Sequence, residues 1–542
     1  MISTLLITHL LIKQIFCGSF QGNRTNLPNL KIRNGSDTAD VEYWNNAKGN
    51  LIIPLLQSNL PNEELQNFQD NWFKTQKMSI NYNLFEESAT ESYYNEQLLQ
   101  ACAQGASVDL DLDIIIMDAT LVSAYKDCLI DLWAWDFNLG SGIDNIKLSN
   151  GVFDDQLVAL PYETYNNIII YNKVYLESHG FDEPPKSLVE MEEMVKFIQI
   201  SERGAENYKV FGYGSGYADG DDMTGFAAEL ATSTNSIIIS KDSNSSIATG
   251  DFRNAISMLL GWMNDQVIDP DDFKLTSSEA FEKFKLRQLI FLRSTPKQLL
   301  DMEDVPFDWS VTNLPGFNVT NLNGSYTGNL NGQYIGVYKY SKNPAAAVKA
   351  VNYFSSKGYQ DVLTANKDFG KTYLTNPYRN SFSDESNCEL FNELCPVYDN
   401  TITSLRPGHS TGTLYPNVSS IIRDGLMAIF DGTKDLNNGI DQMDDQIRIL
   451  LKMPFRNSTS SIKPPHKPGK KPLKNLAEQA LVLIIFVGVG LVAVMLYRQK
   501  LIVEKAKEEL ERLRVMESAR LKKEGKQSAD GASNDEKSTL LQ

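Results

Sequence analysis

Eighteen consecutive residues, Ala480 to Tyr497, carry no charge. At a rise of about 1.5 Å per residue, this run and its edges are long enough to cross a hydrocarbon core. The sequence therefore predicts a transmembrane helix over 476–497, with Arg498 and Lys500 as its stop-transfer flank. The Pro/Lys-rich stretch 456–475 before it reads as an extended stalk. The segment 498–542 after it reads as a tail that starts helical and ends without structure. Val503, Ala506, Leu510 and Leu513 give that helix a short apolar seam. At the other end, residues 1–19 have the short apolar run and small-residue exit of a signal peptide, although Lys13 interrupts the run. Residues 20–44 form a lead into the main domain.

Glycosylation sequons orient the chain. Asn23, Asn34, Asn244, Asn318, Asn323, Asn417 and Asn457 each open an N-x-S/T triplet, and all seven precede the apolar run. Together with the leader they predict a single-pass type I protein, its large N-terminal part outside, at the cell surface or in an endosomal or vacuolar membrane. Four cysteines fall on that side, Cys102, Cys128, Cys388 and Cys395. They allow three pairings; proximity in sequence favours Cys102–Cys128 and Cys388–Cys395. In the tail, Glu536 with Leu540 and Leu541 has the pattern of an acidic dileucine sorting signal.

Between residues 45 and 455, short apolar runs alternate with amphipathic helices. "NLIIPLL" and "LDIIIMD" read as buried strands. "NEELQNFQDNWFKT" reads as a helix presenting Leu65, Phe68 and Trp72, and "PAAAVKAVNYFSS" as one opened by Pro344. This alternation means an α/β fold with covered sheets. A net charge of −17 argues against a nucleic-acid partner. No G-x-S-x-G, zinc motif or spaced carboxylate pair points to an enzyme, and no metal or cofactor is expected. The G-x-G run in "FGYGSGYADGDD" is followed by Asp219, Asp221 and Asp222, which would repel a phosphate; it reads as a cleft loop or a surface turn.

Five segments in order resemble the extracellular solute-binding proteins that serve bacterial sugar importers, in particular the maltose- and trehalose-binding branch. They are "LDIIIMDAT", "DDQLVALPYETYNNIIIYNKVYLESHGFDEPPKSLVEM", "FEKFKLRQLIFLRSTP", "GNLNGQYIGVYKYSKNPAAAVKAVNYFSS" and "RPGHSTGTLYPNVSSIIRDGLMAIFDGTKDL". The resemblance implies a two-lobed, periplasmic-binding-protein-like type II fold with hinge strands and a ligand cleft between the lobes. It makes "ALPYETYNNIIIY" the first crossing, with Pro161 at the crossing and Tyr162, Glu163 and Tyr165 near the cleft. It assigns Asp118 and Arg406 to hydrogen-bonding a sugar. Tyr165 stands where the branch has a hinge aspartate. Thr295 and Gln333 replace two stacking tryptophans, and Arg287 replaces a glycine before the cleft strand. Tyr165, Tyr213 and Tyr217 are the aromatics that could compensate.

The implied ligand set is Asp118, Glu163, Tyr165, Tyr217, Gln333 and Arg406. The expected ligand is small and polar, an oligosaccharide among the candidates, with lipid around the apolar helix and a membrane partner protein if signalling follows. The competing expectation is a non-catalytic adhesion module whose cleft has lost sugar binding.

Overall fold

The computed structural model describes residues 47–454 except 87–89, 105–110, 136–138, 140–141, 219, 235, 240–246, 318–325 and 384–393. The leader, stalk, apolar run, tail and dileucine motif therefore lie outside the described residues. So do Cys388 and every sequon asparagine except Asn417. Among the described residues no helix is long and apolar enough to cross a membrane.

The first lobe begins with β1 (Gly49–Leu55) and β2 (Met78–Leu84), which pair in parallel around α1 (Glu63–Thr75). Asn62 caps α1 by accepting from Leu65 N at 3.0 Å. The inward face of α1 is Leu65, Gln69 and Phe73, one position round from the face expected. Phe68 and Trp72 flank it, half-buried, and Trp72 stacks on Tyr353 at 3.8 Å. After α2 (Glu91–Gln104), the run of isoleucines in β3 (Ile114–Asp118) is buried on both faces, as an inner strand requires. Asp113 N donates to Ile52 O at 2.9 Å, so β1 lies beside β3.

A hairpin of β4 (Val152–Phe153) and β5 (Gln156–Leu157) follows. Asp154 and Asp155 both take positive φ, 48° and 63°, in its two-residue turn. The chain then runs through β6 (Leu160–Asn166) into β7 (Ile168–Asn172). This is the crossing, and it falls at Asn166–Asn167 rather than at Pro161, which sits inside β6.

The second lobe centres on the sheet order β10-β7-β9-β8, with β8 Phe211–Ser215, β9 Leu289–Ser294 and β10 Trp309–Thr312. Its helices include α3 (Leu188–Gly204), α4 (Asp222–Ser233), α5 (Gly250–Asn264) and α6 (Ser277–Lys285). Thr276 and Glu279 close a capping box at the start of α6. The chain returns through β11 (Tyr326–Val337), which pairs antiparallel with both β3 and β6. The helices α7 (Pro344–Phe354) and α8 (Lys357–Ala365) then cover the first lobe. Strand β12 (Thr401–Ser404) runs parallel to the start of β11, and α9 (Tyr415–Phe430) and α10 (Leu436–Leu450) pack back into the second lobe. The two lobes have separate cores: Ile114, Ile116, Ile335 and Val348 in one, Val195, Phe226, Trp262 and Phe291 in the other.

Asparagines tie the crossings together. Asn166 Nδ2 donates to Gly328 O at 3.0 Å, and Asn331 Nδ2 to Asn167 Oδ1 at 2.9 Å. The hinge is thus held by asparagine side chains that bond across to the neighbouring strand, one to its backbone and one to a side chain.

The pair Cys102–Cys128 forms a disulfide that pins α2 to the segment after β3. Cys395 is also disulfide-bonded. Its expected partner, Cys388, lies outside the described residues.

Candidate functional site

Three strands of the first lobe set the floor of the site. The register places Gln333 of β11 opposite Asp118 of β3 on one side and opposite Glu163 of β6 on the other. Directly paired residues of antiparallel strands point to the same face. The three polar side chains therefore form one row, and all three are only partly buried. Two residues back, Asn331 pairs with Tyr165. Gly332, between these pairs, has φ +96°, and a Cβ there would lie 2.0 Å from Glu163 O. The register shift follows immediately, between Gln333 and Tyr334. Only glycine lets β11 bulge here and keep Gln333 in the row.

Asp118 has a structural duty as well as an open side. Its Oδ1 accepts from Thr120 N at 2.7 Å and Thr120 Oγ1 at 2.5 Å. Neither contact uses Oδ2. Glu163 accepts from Lys371 Nζ at 2.5 Å. Tyr165 meets Tyr373 edge to face, ring centroids 6.1 Å apart. Burial pushes the Tyr165 hydroxyl well above its ordinary value, and Asp118 and Asp222 add to the effect while Arg406 opposes it.

Charge gathers where the two lobes meet. Arg406 is buried; its Nη1 donates to Asp221 Oδ2 at 2.5 Å and its Nη2 to Leu330 O at 3.3 Å, while Nε has no acceptor. The Tyr415 hydroxyl donates to the same Asp221 oxygen. Arg406 is held close by Gly408, where a Cβ would meet Thr120 O at 2.0 Å, so the turn after Arg406 presses against the turn after Asp118. Burial works to raise the Asp221 carboxyl, but Arg406 and Tyr415 outweigh it and hold the carboxyl below its usual value. Burial would also favour a neutral Arg406; Asp221, Tyr415 and Asp118 keep it charged.

Two acids complete the ring. Asp222, at the first position of α4, is pushed up to about 6, chiefly by burial, with Asp221 and Glu229 adding to the rise. Glu91, at the start of α2, is raised by desolvation and by Asp118 and Asp221. It is reached by solvent yet ringed by protein, as a group in a cleft mouth is. Behind them, Arg293 and Glu229 form a fully buried pair, Nε to Oε2 2.7 Å, and Glu229 Oε1 also accepts from Asn329 N at 2.8 Å. That carboxylate joins α4 to the returning strand β11.

The expected residues thus divide. Asp118, Glu163, Gln333, Tyr165 and Arg406 come together. Arg406, however, is not an open donor but one half of a buried ion pair. Tyr217 does not line the cleft: it is 1% exposed and stacks on Phe273 in the core of the second lobe. Tyr213 is buried beside it, and strand alternation turns Tyr162 inward onto Phe354. Thr295 follows β9 and stands at the N-cap of the 3-10 helix Pro296–Asp304. Glu91, Lys371, Tyr373 and Tyr415 are site residues that the sequence motifs did not single out, and Asp221 and Asp222 were read only as acids that repel phosphate in a cleft loop or a surface turn. The paired acids in "GDDM" at a helix start were the visible signal for these last two.

Residues 61–361 match the family of bacterial extracellular solute-binding proteins. Among similar solved structures is maltose-bound MalE3 of T. maritima: 19% identity, TM-score 0.57, 74% of this chain and 100% of that one. The cyclic α-maltosyl-1,6-maltose binding protein of Arthrobacter globiformis gives 17% identity and TM-score 0.60, over 74% and 99%. An ABC transporter solute-binding protein of Thermotoga lettingae with α-D-tagatose gives 15% and 0.56, over 75% and 100%. At these identities the likeness is one of fold. No curated protein sequence matches the chain.

Proposed function

The chain belongs to the bacterial extracellular solute-binding protein family, and from that premise we propose that it captures a small polar ligand, a carbohydrate, in the cleft between its lobes. The observation that carries the reading is the polar row Asp118–Gln333–Glu163 on one lobe, facing the Arg406–Asp221–Tyr415 cluster that the other lobe helps to build. Hydroxyl-rich ligands need this mixture of acceptors and donors. Tyr165 supplies an apolar ring beside it. Maltose, tagatose and a cyclic maltosaccharide are carried by proteins of the same fold, which supports a sugar over other polar solutes. The reading makes no use of catalysis: the carboxylates are either ion-paired or arranged as a continuous row, not as a separated acid and nucleophile.

The same proposal places this domain outside the cell on the 476–497 anchor. Asn417, the sequon asparagine within the described residues, is exposed at the start of α9, where a glycan could be carried. Titration calorimetry of the full-length protein with maltose, trehalose and maltotriose tests the binding. Asp118→Ala should weaken the binding about ten- to a hundredfold. If none of the three sugars gives heat or thermal stabilisation, the adhesion reading replaces this one. Enzymatic removal of N-glycans tests the orientation, and an unshifted mobility would refute it.

A further inference from the structure

The end of the second lobe's sheet opposite the crossing carries a groove of about 380 Å3. It lies where β7 ends and β9 begins, and Asn172, Tyr175, Asn207, Lys209, Arg287 and Gln288 contribute to its lining. None of these belongs to the cleft cluster.

Three features set it apart. First, Lys209 and Arg287 come from separate segments, one leading into β8 and the other into β9, and neither pairs with a carboxylate among the described residues. Both line the same groove on a chain of net charge −17. The lining's acid, Glu202, is already engaged by Asn207 Nδ2 at 2.8 Å. Second, Asn172 is buried, its Oδ1 caps Tyr175 N at 3.1 Å, and its Nδ2 donor has no acceptor. A buried donor without a partner is costly, and it marks this corner of the lining as polar. Third, Arg287 has φ +59°, a conformation that glycine adopts freely and arginine does not. A cation is therefore retained against backbone preference at the edge of the groove.

We propose that this groove is a second ligand site, selective for a small molecule bearing a carboxylate. The carboxylate lies between Lys209 and Arg287, and the rest of the ligand rests on the amide and hydroxyl groups of the lining. Sugar acids and acidic peptide ends share this chemistry. The competing role for Arg287 is internal, because its guanidinium lies 5.3 Å from the Phe307 ring centre and could simply hold the turn.

The test is calorimetric titration of the full-length protein with glucuronate, triglutamate and glucose. Glucuronate should bind, and glucose should bind this site at least tenfold more weakly. Arg287→Gly relaxes the backbone while removing the cation, so it keeps the fold; it should weaken glucuronate about ten- to a hundredfold. Lys209→Gln should weaken it less, and Asp118→Ala in the cleft should leave it unchanged. Binding of triglutamate alone would support the site and assign the carboxylate to a peptide. Failure of both acids, glucose binding to the Asp118→Ala protein as tightly as glucuronate, or unchanged glucuronate binding by Arg287→Gly would each overturn the proposal.

Discussion

The two walls of the cleft are built differently. The first lobe's wall is a row of side chains on adjacent strands, Asp118, Gln333 and Glu163, whose positions follow from strand register. The second lobe's wall is a set of helix starts and turns, Asp221 and Asp222 before and at the head of α4 and Tyr415 at the head of α9. The first wall keeps its polar groups partly open. The second is tied up through Arg406, which bonds both Asp221 and Leu330 O of β11, through Tyr415, and through the deeper Arg293–Glu229 pair. The first wall can therefore meet a ligand as it stands, whereas the second must exchange internal bonds for ligand bonds. A ligand that closes the lobes has to bind the exchanged state better than the present one.

The largest expected effect breaks the second wall. Arg293 and Glu229 are both almost fully buried, and Glu229 also holds the backbone of β11. Arg293→Met leaves a buried carboxylate without its counter-charge, which should cost about 3–5 kcal/mol of stability. Urea unfolding measures it. A loss below about 1 kcal/mol would mean that the second wall is not held by this pair.

The same contrast explains what was legible in the sequence. The strands β3 and β7 are continuous apolar runs, and the members of the row on the first wall were reached through the family resemblance of the segments that carry them. The fold followed from these runs and from helix signals such as Pro344 at the start of α7. Tyr217 failed because its G-x-G surroundings read as a loop, while tertiary packing against Phe226 and Phe273 took it into the core. Arg406 was found but not its partner: no local pattern announces that Asp221, 185 residues earlier, will reach it. Glu91 and Lys371 were missed for the same reason.

A smaller effect sharpens the electrostatic side of the contrast. Asp222 faces Asp221, Glu229, Arg293 and Arg406, and its carboxyl is raised from 3.8 to about 6. A raised acid binds its proton more tightly in the folded state than in the unfolded one. Its ionisation therefore removes stability as pH rises from about 4 to 6, and the deficit persists above that. The size is on the order of 3 kcal/mol. Asp222→Asn should be more stable than the native chain at neutral pH and gain little at about pH 3, below the unfolded pKa. Melting curves of the two proteins across this range give the answer, and their difference separates Asp222 from Asp272, which titrates in the same window. A constant difference across the range would show that Asp222 is not the strained member of the second wall.

The smallest effect concerns the first wall. Asp118 Oδ1 is occupied by Thr120 N and Thr120 Oγ1, while Oδ2 makes neither contact. If the row is an open, preset surface, Thr120 positions the carboxylate and does not itself meet the ligand. Thr120→Val keeps the side-chain shape and the backbone bond and removes one hydroxyl donor. Stability should fall by about 0.5–1.5 kcal/mol. Sugar affinity should fall only a few-fold, well short of the loss in Asp118→Ala, because the remaining bond from Thr120 N still orients the carboxylate. Calorimetry on both variants, with unfolding curves alongside, makes the comparison. An affinity loss in Thr120→Val equal to that in Asp118→Ala would mean that the hydroxyl is a ligand contact or that the first wall is not preset, and the distinction between the two walls would then fail on the side where it is best defined.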